Sequence, residues 1–225
     1  MIDLDPLFLT FKLALLTTII LLLISIPFAY WLAYTQFKFK AVIETIVSLP
    51  LVLPPSVLGF YLLLAFSPEN AFGKFCKHYF NTQFVFTFQG LLISSVLYSL
   101  PFMVHPLQTG FKSINKSLIE ASYILGKSKI TTLLKILLPN MRASLFTGIV
   151  LTFAHTIGEF GVVLMVGGNI PNKTRVVSIA IYDEVQSMNY HNANIYSIIL
   201  LTFSFLILLS VYIFNHRSNN ENLLQ

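Results

Sequence analysis

The apolar positions of this chain gather into five long blocks: Leu13 to Tyr34, Ile46 to Phe66, Gly90 to Leu107, Leu145 to Val166 and Ile195 to Phe214. An apolar run of about 20 residues crosses the ~30 Å hydrocarbon layer as a helix, because a helix satisfies its own backbone hydrogen bonds where water cannot. The pattern predicts five membrane-spanning helices, of which the third is the shortest. Lys12 sits just before the first block and can extend its ammonium to the interface, so it does not count against that span. Asp3 and Asp5 precede any lysine, unlike the basic start of a cleaved signal peptide, so the first helix is expected to be retained.

The composition fits such a chain. Of 225 residues, 56% are hydrophobic and 10% charged, against about 25% charge in soluble domains. The predicted fold class is an all-α membrane protein. Cys76 is the single cysteine, so an intrachain disulfide or a cysteine-rich metal site is excluded, and it reads as an incidental loop residue. The net charge of +5 does not point to nucleic acid, because the basic residues lie in loops between apolar spans, where they set membrane orientation. With the N-terminus outside, the inner segments hold Lys38, Lys40, Lys112, Lys116, Lys127, Lys129, Lys135, Arg142 and Arg217. The outer side then holds Lys12, Lys74, Lys77, Lys173 and Arg175, so the asymmetry favours a periplasmic N-terminus and a cytoplasmic C-terminus.

One membrane domain, residues 1–216, is expected, with a polar tail over 217–225 and no inverted repeat of the kind that marks a complete secondary transporter. Within the second block, Pro50, Pro54 and Pro55 remove backbone donors and clash with preceding carbonyls, which predicts a kinked or broken helix sheltered by protein or lining a water-filled path. Ser67 to Gln89 reads as an outer loop carrying Asn70, Gly73, His78 and Asn81, with a short interfacial helix through Phe72, Phe75, Tyr79 and Phe80. Gly167 to Asn172 signals a turn, and Ser178 to Met188 a short helix outside the membrane.

The largest inner loop, Gly110 to Arg142, has six basic residues and two helical patterns separated by Gly126. Ile114, Leu118, Ala121 and Leu125 share one face of the first, while Lys112, Ser113, Lys116, Ser117 and Glu120 decorate the other. Ile130, Leu133, Leu134, Leu137 and Leu138 lead to Pro139, which limits the second helix. An amphipathic helix resting on the membrane surface would share this periodicity but would not require the spacing of Glu120, Gly126 and Leu138-Pro139.

That spacing resembles the cytoplasmic signature of ABC importer permeases. Glu120-Ala121-Ser122 is followed after three residues by Gly126, after nine more by Ile136, and then by Leu138-Pro139, with Ser122 in place of the usual second alanine. The run Leu49 to Tyr61, with Pro50, Pro54, Pro55, Ser56 and Gly59, is similar to that of molybdate permeases. So is Gly158 to Pro171 followed by Thr174-Arg175; sulfate permeases share the coupling motif and parts of the latter run. The resemblance implies a type I importer permease fold and a homodimer around a central path. It further implies two ATPase subunits gripping the coupling loop inside, and a periplasmic binding protein delivering an oxyanion, molybdate ahead of sulfate or tungstate. The chain has no Gly-x-x-x-x-Gly-Lys-Ser/Thr phosphate loop, so ATP and magnesium are expected on the partner ATPase, with no cofactor or metal here and no enzymatic activity in this chain alone.

His155 and Glu159 lie four apart in the fourth block, on one helical face, and ionisable groups at such depth mark structural hydrogen bonds, gates or transport paths. No second ligand cluster accompanies them, which argues against metalloprotease chemistry. A membrane enzyme built on this pair, or a channel, is the competing class of function. Ser48 and Ser56 are candidate weak anion contacts along the path. The outer Lys74, Lys77, Lys173 and Arg175 read either as solvated loop charges or as groups that meet acids or an oxyanion.

Overall fold

The computed structural model describes residues 3–80 and 82–222, with the side chains of Phe80 and of 214–222 left undescribed; Asn81 and 223–225 lie outside the described residues. Secondary structure among them is helical. Helix α1 (Asp5–Tyr34) begins earlier than the apolar block, because Asp5 suits the positive end of the helix and Pro6 fits its first turn. Lys12 thus lies inside α1, its ammonium 4.9 Å above the Phe88 ring. The second block divides into α2 (Lys40–Val52) and α3 (Pro55–Phe66), whose axes are bent by 112°. Pro50 is carried within α2, and the break falls at Leu53 and Pro54, both extended at ψ 135°.

Ala71–Phe80 forms α4, the expected short outer helix; Cys76 is buried on it rather than free in a loop. Helix α5 (Phe88–Ser113) is longer than the third block suggested, since Pro101 and Pro106 are absorbed and its last turns carry Gln108 and Lys112. Ser113 therefore closes a span, and the inner loop starts at Ile114, a core residue and not part of an exposed stripe. Two short helices follow: α6 (Lys116–Ile124), then α7 (Lys129–Thr132), which continues through a π turn at Leu133–Leu137 into α8 (Leu138–Asn140). The segment Lys129–Asn140 meets α9 (Arg142–Ile157) at 81°. The fourth block is also broken, at Gly158–Phe160, before α10 (Gly161–Gly167). Val177–Gln186 forms α11, and α12 (Tyr190–Asn222) carries the helix beyond the expected end at Phe214 into the tail.

Side-chain pairings give the direction of each helix. Leu13 and Leu91 share one cluster, while at the other end the Tyr34 hydroxyl donates to the Phe111 carbonyl at 2.7 Å, so α1 and α5 run parallel. Parallel neighbours require a return between them, and the bent α2–α3 pair supplies it. Helix α9 is antiparallel to α5, with Ser144 beside Gly110 and His155 beside Ser99. Helix α12 is parallel to α1, since Tyr196 donates to the Asp3 carbonyl at 2.6 Å and Phe203 packs edge-on to Phe11. Among the described residues, three helices are long and apolar enough to cross a membrane by themselves. With each bent pair counted as one crossing, the described helices allow up to five traverses, the second by α2–α3 and the fourth including α9. At about 1.5 Å per residue, the 16 residues of α9 reach only about 24 Å, so α10 completes that traverse.

Candidate functional site

The two helix breaks face each other. A Cβ on Gly161, the first residue of α10, would lie 2.7 Å from Pro55 Cβ, so only glycine lets the two half-helices approach this closely. Beside the contact is a cavity of about 570 Å³. Pro55 and Ser56 line it from one break, Gly158, Glu159 and Phe160 from the other, and Tyr98 and His155 from the adjacent spans. Interrupted backbone is tolerated at membrane depth where it is buried in protein or lines such a space.

Glu159 is 3% exposed, and two elements, α5 and α11, hold its position. Ser95 of α5 donates to Oε2 at 2.8 Å, and Ser178 of α11 donates to the Glu159 carbonyl at 2.6 Å. Next along the chain, Phe160 packs on Tyr182 of α11 with centroids 5.2 Å apart. Oε1 has no hydrogen-bond partner among the described residues. His155 stacks on Phe102 at 3.9 Å, and its Nδ1 is 3.1 Å from Ser99 Oγ, which in turn lies 3.1 Å from Thr156 Oγ1. The Thr156 hydroxyl donates to the Thr152 carbonyl, so its oxygen receives the Ser99 proton and Nδ1 carries the hydrogen toward Ser99. The arrangement offers hydroxyls and a helix start to a ligand. Among the described residues no cluster suited to a metal ion is present.

The remaining path candidates lie elsewhere. Gly59 is buried where α3 crosses α10, its missing Cβ filled by Met165 and Val162, and Pro54 caps α3 on the exposed side of the break. Ser48 of α2 points toward α5, with its Oγ 3.1 Å from His105 Nε2. Together with Glu44, Gln108 and Lys112 these form a second polar cluster that the linear sequence does not display, because its members are separated by 57 and 64 residues.

The inner helices form the second candidate region. Gly126 has φ +71°, its N–H donates to the Tyr123 carbonyl and the Lys127 N–H to the Ser122 carbonyl, which is the Schellman closure of α6. Ser122 is buried and paired at 2.8 Å with Thr132, whose own proton goes to the Ser128 carbonyl, so Ser122 is the donor that ties α6 to α7. Around this joint Leu118 and Ala121 are exposed, with Ile124 86% and Leu125 74% exposed. Beyond the turn Ile130 and Leu134 are exposed too, an apolar face left uncovered by the described residues. Glu120 opens onto a groove of about 280 Å³ beside Tyr30, Tyr34 and Tyr123. Ile136 and Leu138 pack on the core around fully buried Leu137, and Pro139 starts the short α8.

Of the loop charges expected on the outer side, Arg175 is engaged, at 3.3 Å from Asp183 and hydrogen-bonded to Asn169 at 2.5 Å, whereas Lys74, Lys77 and His78 line an open groove of about 560 Å³.

Residues 25–220 match a family described as "Binding-protein-dependent transport system inner membrane component". The chain is 45% identical over 210 residues to the Azotobacter vinelandii "Molybdenum transport system permease protein ModB", covering 93% of each. It is 35% identical over 205 residues to a "Probable sulfate transport system permease protein cysT" of Helicosporidium sp. subsp. Simulium jonesii, covering 91% of this chain and 76% of that one. The fold matches a chain of a bacterial ABC transporter involved in the import of the acidic polysaccharide alginate, with TM-score 0.76, 18% identity, and coverage of 95% and 79%.

The Ser95–Glu159 contact is directly testable. Ser95→Ala leaves neither carboxyl oxygen with a protein donor and should cost about 1–3 kcal/mol of stability, read as a lower melting temperature in detergent. In a Glu159→Leu background the same change should cost much less, as expected for partners that interact. Equal losses in both backgrounds would show that the hydrogen bond contributes nothing.

Proposed function

Because the chain belongs to the family of binding-protein-dependent transport system inner membrane components, we propose that it is the permease subunit of an ATP-driven importer whose cargo is molybdate. The observation that carries the cargo is the 45% identity, over 93% of both chains, to a relative named for molybdenum transport. Two copies surround a path, a periplasmic binding protein delivers the anion from outside, and a separate ATPase pair binds ATP and magnesium inside. The N-terminus is periplasmic and the C-terminus cytoplasmic, consistent with five traverses and the excess of lysines on the α6–α8 side.

The geometry suits these roles. The apolar face of α6 and α7 is the part that would enter a groove on the ATPase, with Leu118, Ile124, Leu125 and Ile130 as its anchors. The Gly126 turn and the Ser122–Thr132 bond make α6 and α7 one stiff unit, so a push on one is delivered to the other. At the facing breaks, Ser56 supplies the donors beside the cavity, since Pro54 and Pro55 carry no N–H and the Val57 N–H is taken by the Pro54 carbonyl, and the positive end of α3 adds a partial charge there. Such contacts attract a tetrahedral dianion weakly, which a conducting path requires, since tight binding would prevent release. Bare carbonyls would repel it, so the prolines set the shape of the path and not its affinity.

Sulfate is the second reading, favoured by the relatives named for sulfate transport. Cells lacking this chain should lose uptake of labelled molybdate at low external concentration and regain it with the wild-type gene, while sulfate uptake stays unchanged. Loss of sulfate uptake with molybdate uptake intact would overturn the assigned cargo.

Coupling makes a separate prediction. Gly126→Val places a β-branched residue in left-handed backbone, at a local cost of about 1–2 kcal/mol, and Glu120→Lys reverses a charge beside the exposed face. Each should abolish uptake while the protein still inserts in the membrane. Wild-type uptake and ATPase capture by both variants would remove these helices from the ATPase interface.

A further inference from the structure

Helix α2 is a 13-residue rod that follows a turn closed by the Lys40 N–H on the Phe37 carbonyl and ends at the extended backbone of Leu53–Pro54. Its apolar anchorage is slight: Val47 is its one buried residue, with Ile43 beside it, while Val42, Ile46, Leu49 and Val52 are exposed. What holds it to α5 is largely polar. Gln108 Nε2 donates to Glu44 Oε1 at 2.6 Å, and Lys112 Nζ stands 3.8 Å from the same oxygen. Ser48 Oγ donates to the Glu44 carbonyl at 2.7 Å and, its proton thus used, accepts from His105 Nε2 at 3.1 Å.

On α5 these partners are His105, Gln108 and Lys112, at steps of three and four residues, hence on one face. Helix α5 runs unbroken to Ser113, and only Ile114 and Asn115 separate it from α6. A displacement of α6 therefore arrives first at the turn of α5 that carries Lys112 and Gln108. On its other side, α2 ends at the break whose next residues, Pro55 and Ser56, line the cavity.

The chemistry of the seam favours release. Gln108 is 5% exposed and its amide needs a partner, so Glu44 sets the register of α2 against α5. Yet the side chains of Glu44 and Lys112 are 32% and 50% exposed, so water can replace each for the other at little cost. An apolar contact of the same area would hold α2 without such a low barrier to parting and without a unique register.

We infer that Glu44, with Gln108 and Lys112, is a releasable latch through which the inner end of α5 sets the position of the half-helix α2, making Glu44 a positioning residue for transport. The latch rests on the importer reading given above. In the transport cycle the seam opens when the inner helices shift, α2 swings about the extended Leu53–Pro54 junction, and the wall of the cavity moves with it.

The test places cysteines at Glu44 and Gln108 in a Cys76→Ala background and joins them with a short, reducible thiol linker after the complex with its ATPase has been purified and reconstituted. Because both latch residues are replaced, the unlinked double-cysteine complex sets the baseline; linked complexes should lose that uptake and return to the baseline on reduction, with the ATPase still bound. Uptake unaltered by a completed cross-link would overturn the latch. A second variant, Glu44→Gln, keeps an acceptor for Gln108 and removes the charge facing Lys112. The complex should then melt as the wild type does but move fewer anions per ATP hydrolysed. An unchanged ratio would also overturn the inference. Failure of the importer reading is distinct, because it appears as absent uptake in the untreated wild-type complex and removes the latch with it.

Discussion

The close approach of Gly161 to Pro55 is the constraint on which the rest of the bundle depends. Each of two traverses is interrupted, and an interrupted helix exposes backbone groups that hydrocarbon cannot satisfy. Packed against one another the interruptions shelter each other, and the space left beside them becomes a mostly apolar cavity into which Ser56, Tyr98, His155 and Glu159 bring a few polar groups. Supporting contacts hold that geometry: Ser95 and Ser178 grip Glu159 from opposite sides, Phe160 packs on Tyr182, and Gly59 lets α3 lie against α10.

Helix α5 is the element common to every part. Its outer half turns Ser95 and Ser99 toward Glu159 and His155, and its inner half turns His105, Gln108 and Lys112 toward α2. Because the helix is continuous across both halves, a motion at its inner end cannot remain local. The inner helices are joined as firmly to one another, by the Schellman turn at Gly126 and the buried Ser122–Thr132 bond. In the proposed importer these elements would serve as a transmitter, a continuous rod and two half-helices. They are built from few charges, as the low-dielectric setting demands.

Much of this could be read from the residues in order. Apolar length announced the spans, Pro54 and Pro55 announced one break, and Gly126 announced the turn between the inner helices. The second break escaped, because Gly158 and Gly161 also serve ordinary close packing and no proline stands there. The third span was underestimated for a related reason: Pro101, His105, Pro106, Gln108 and Lys112 lower the apolar signal of a helix that tertiary contacts nonetheless carry to Ser113. Pairings between distant positions were invisible. Glu44 and Gln108 are 64 residues apart, and Ser122 looked like a tolerated replacement until Thr132 appeared as its partner.

Whether the cavity between the breaks carries the anion is the question that matters most, and Ser56 gives the most direct access to it. A cysteine at Ser56, in protein whose native Cys76 is buried, should react with a small negatively charged thiol reagent in the assembled transporter. Modification should block molybdate uptake while the binding protein still captures the anion. Complete modification with molybdate uptake at the wild-type rate would contradict this placement of the path.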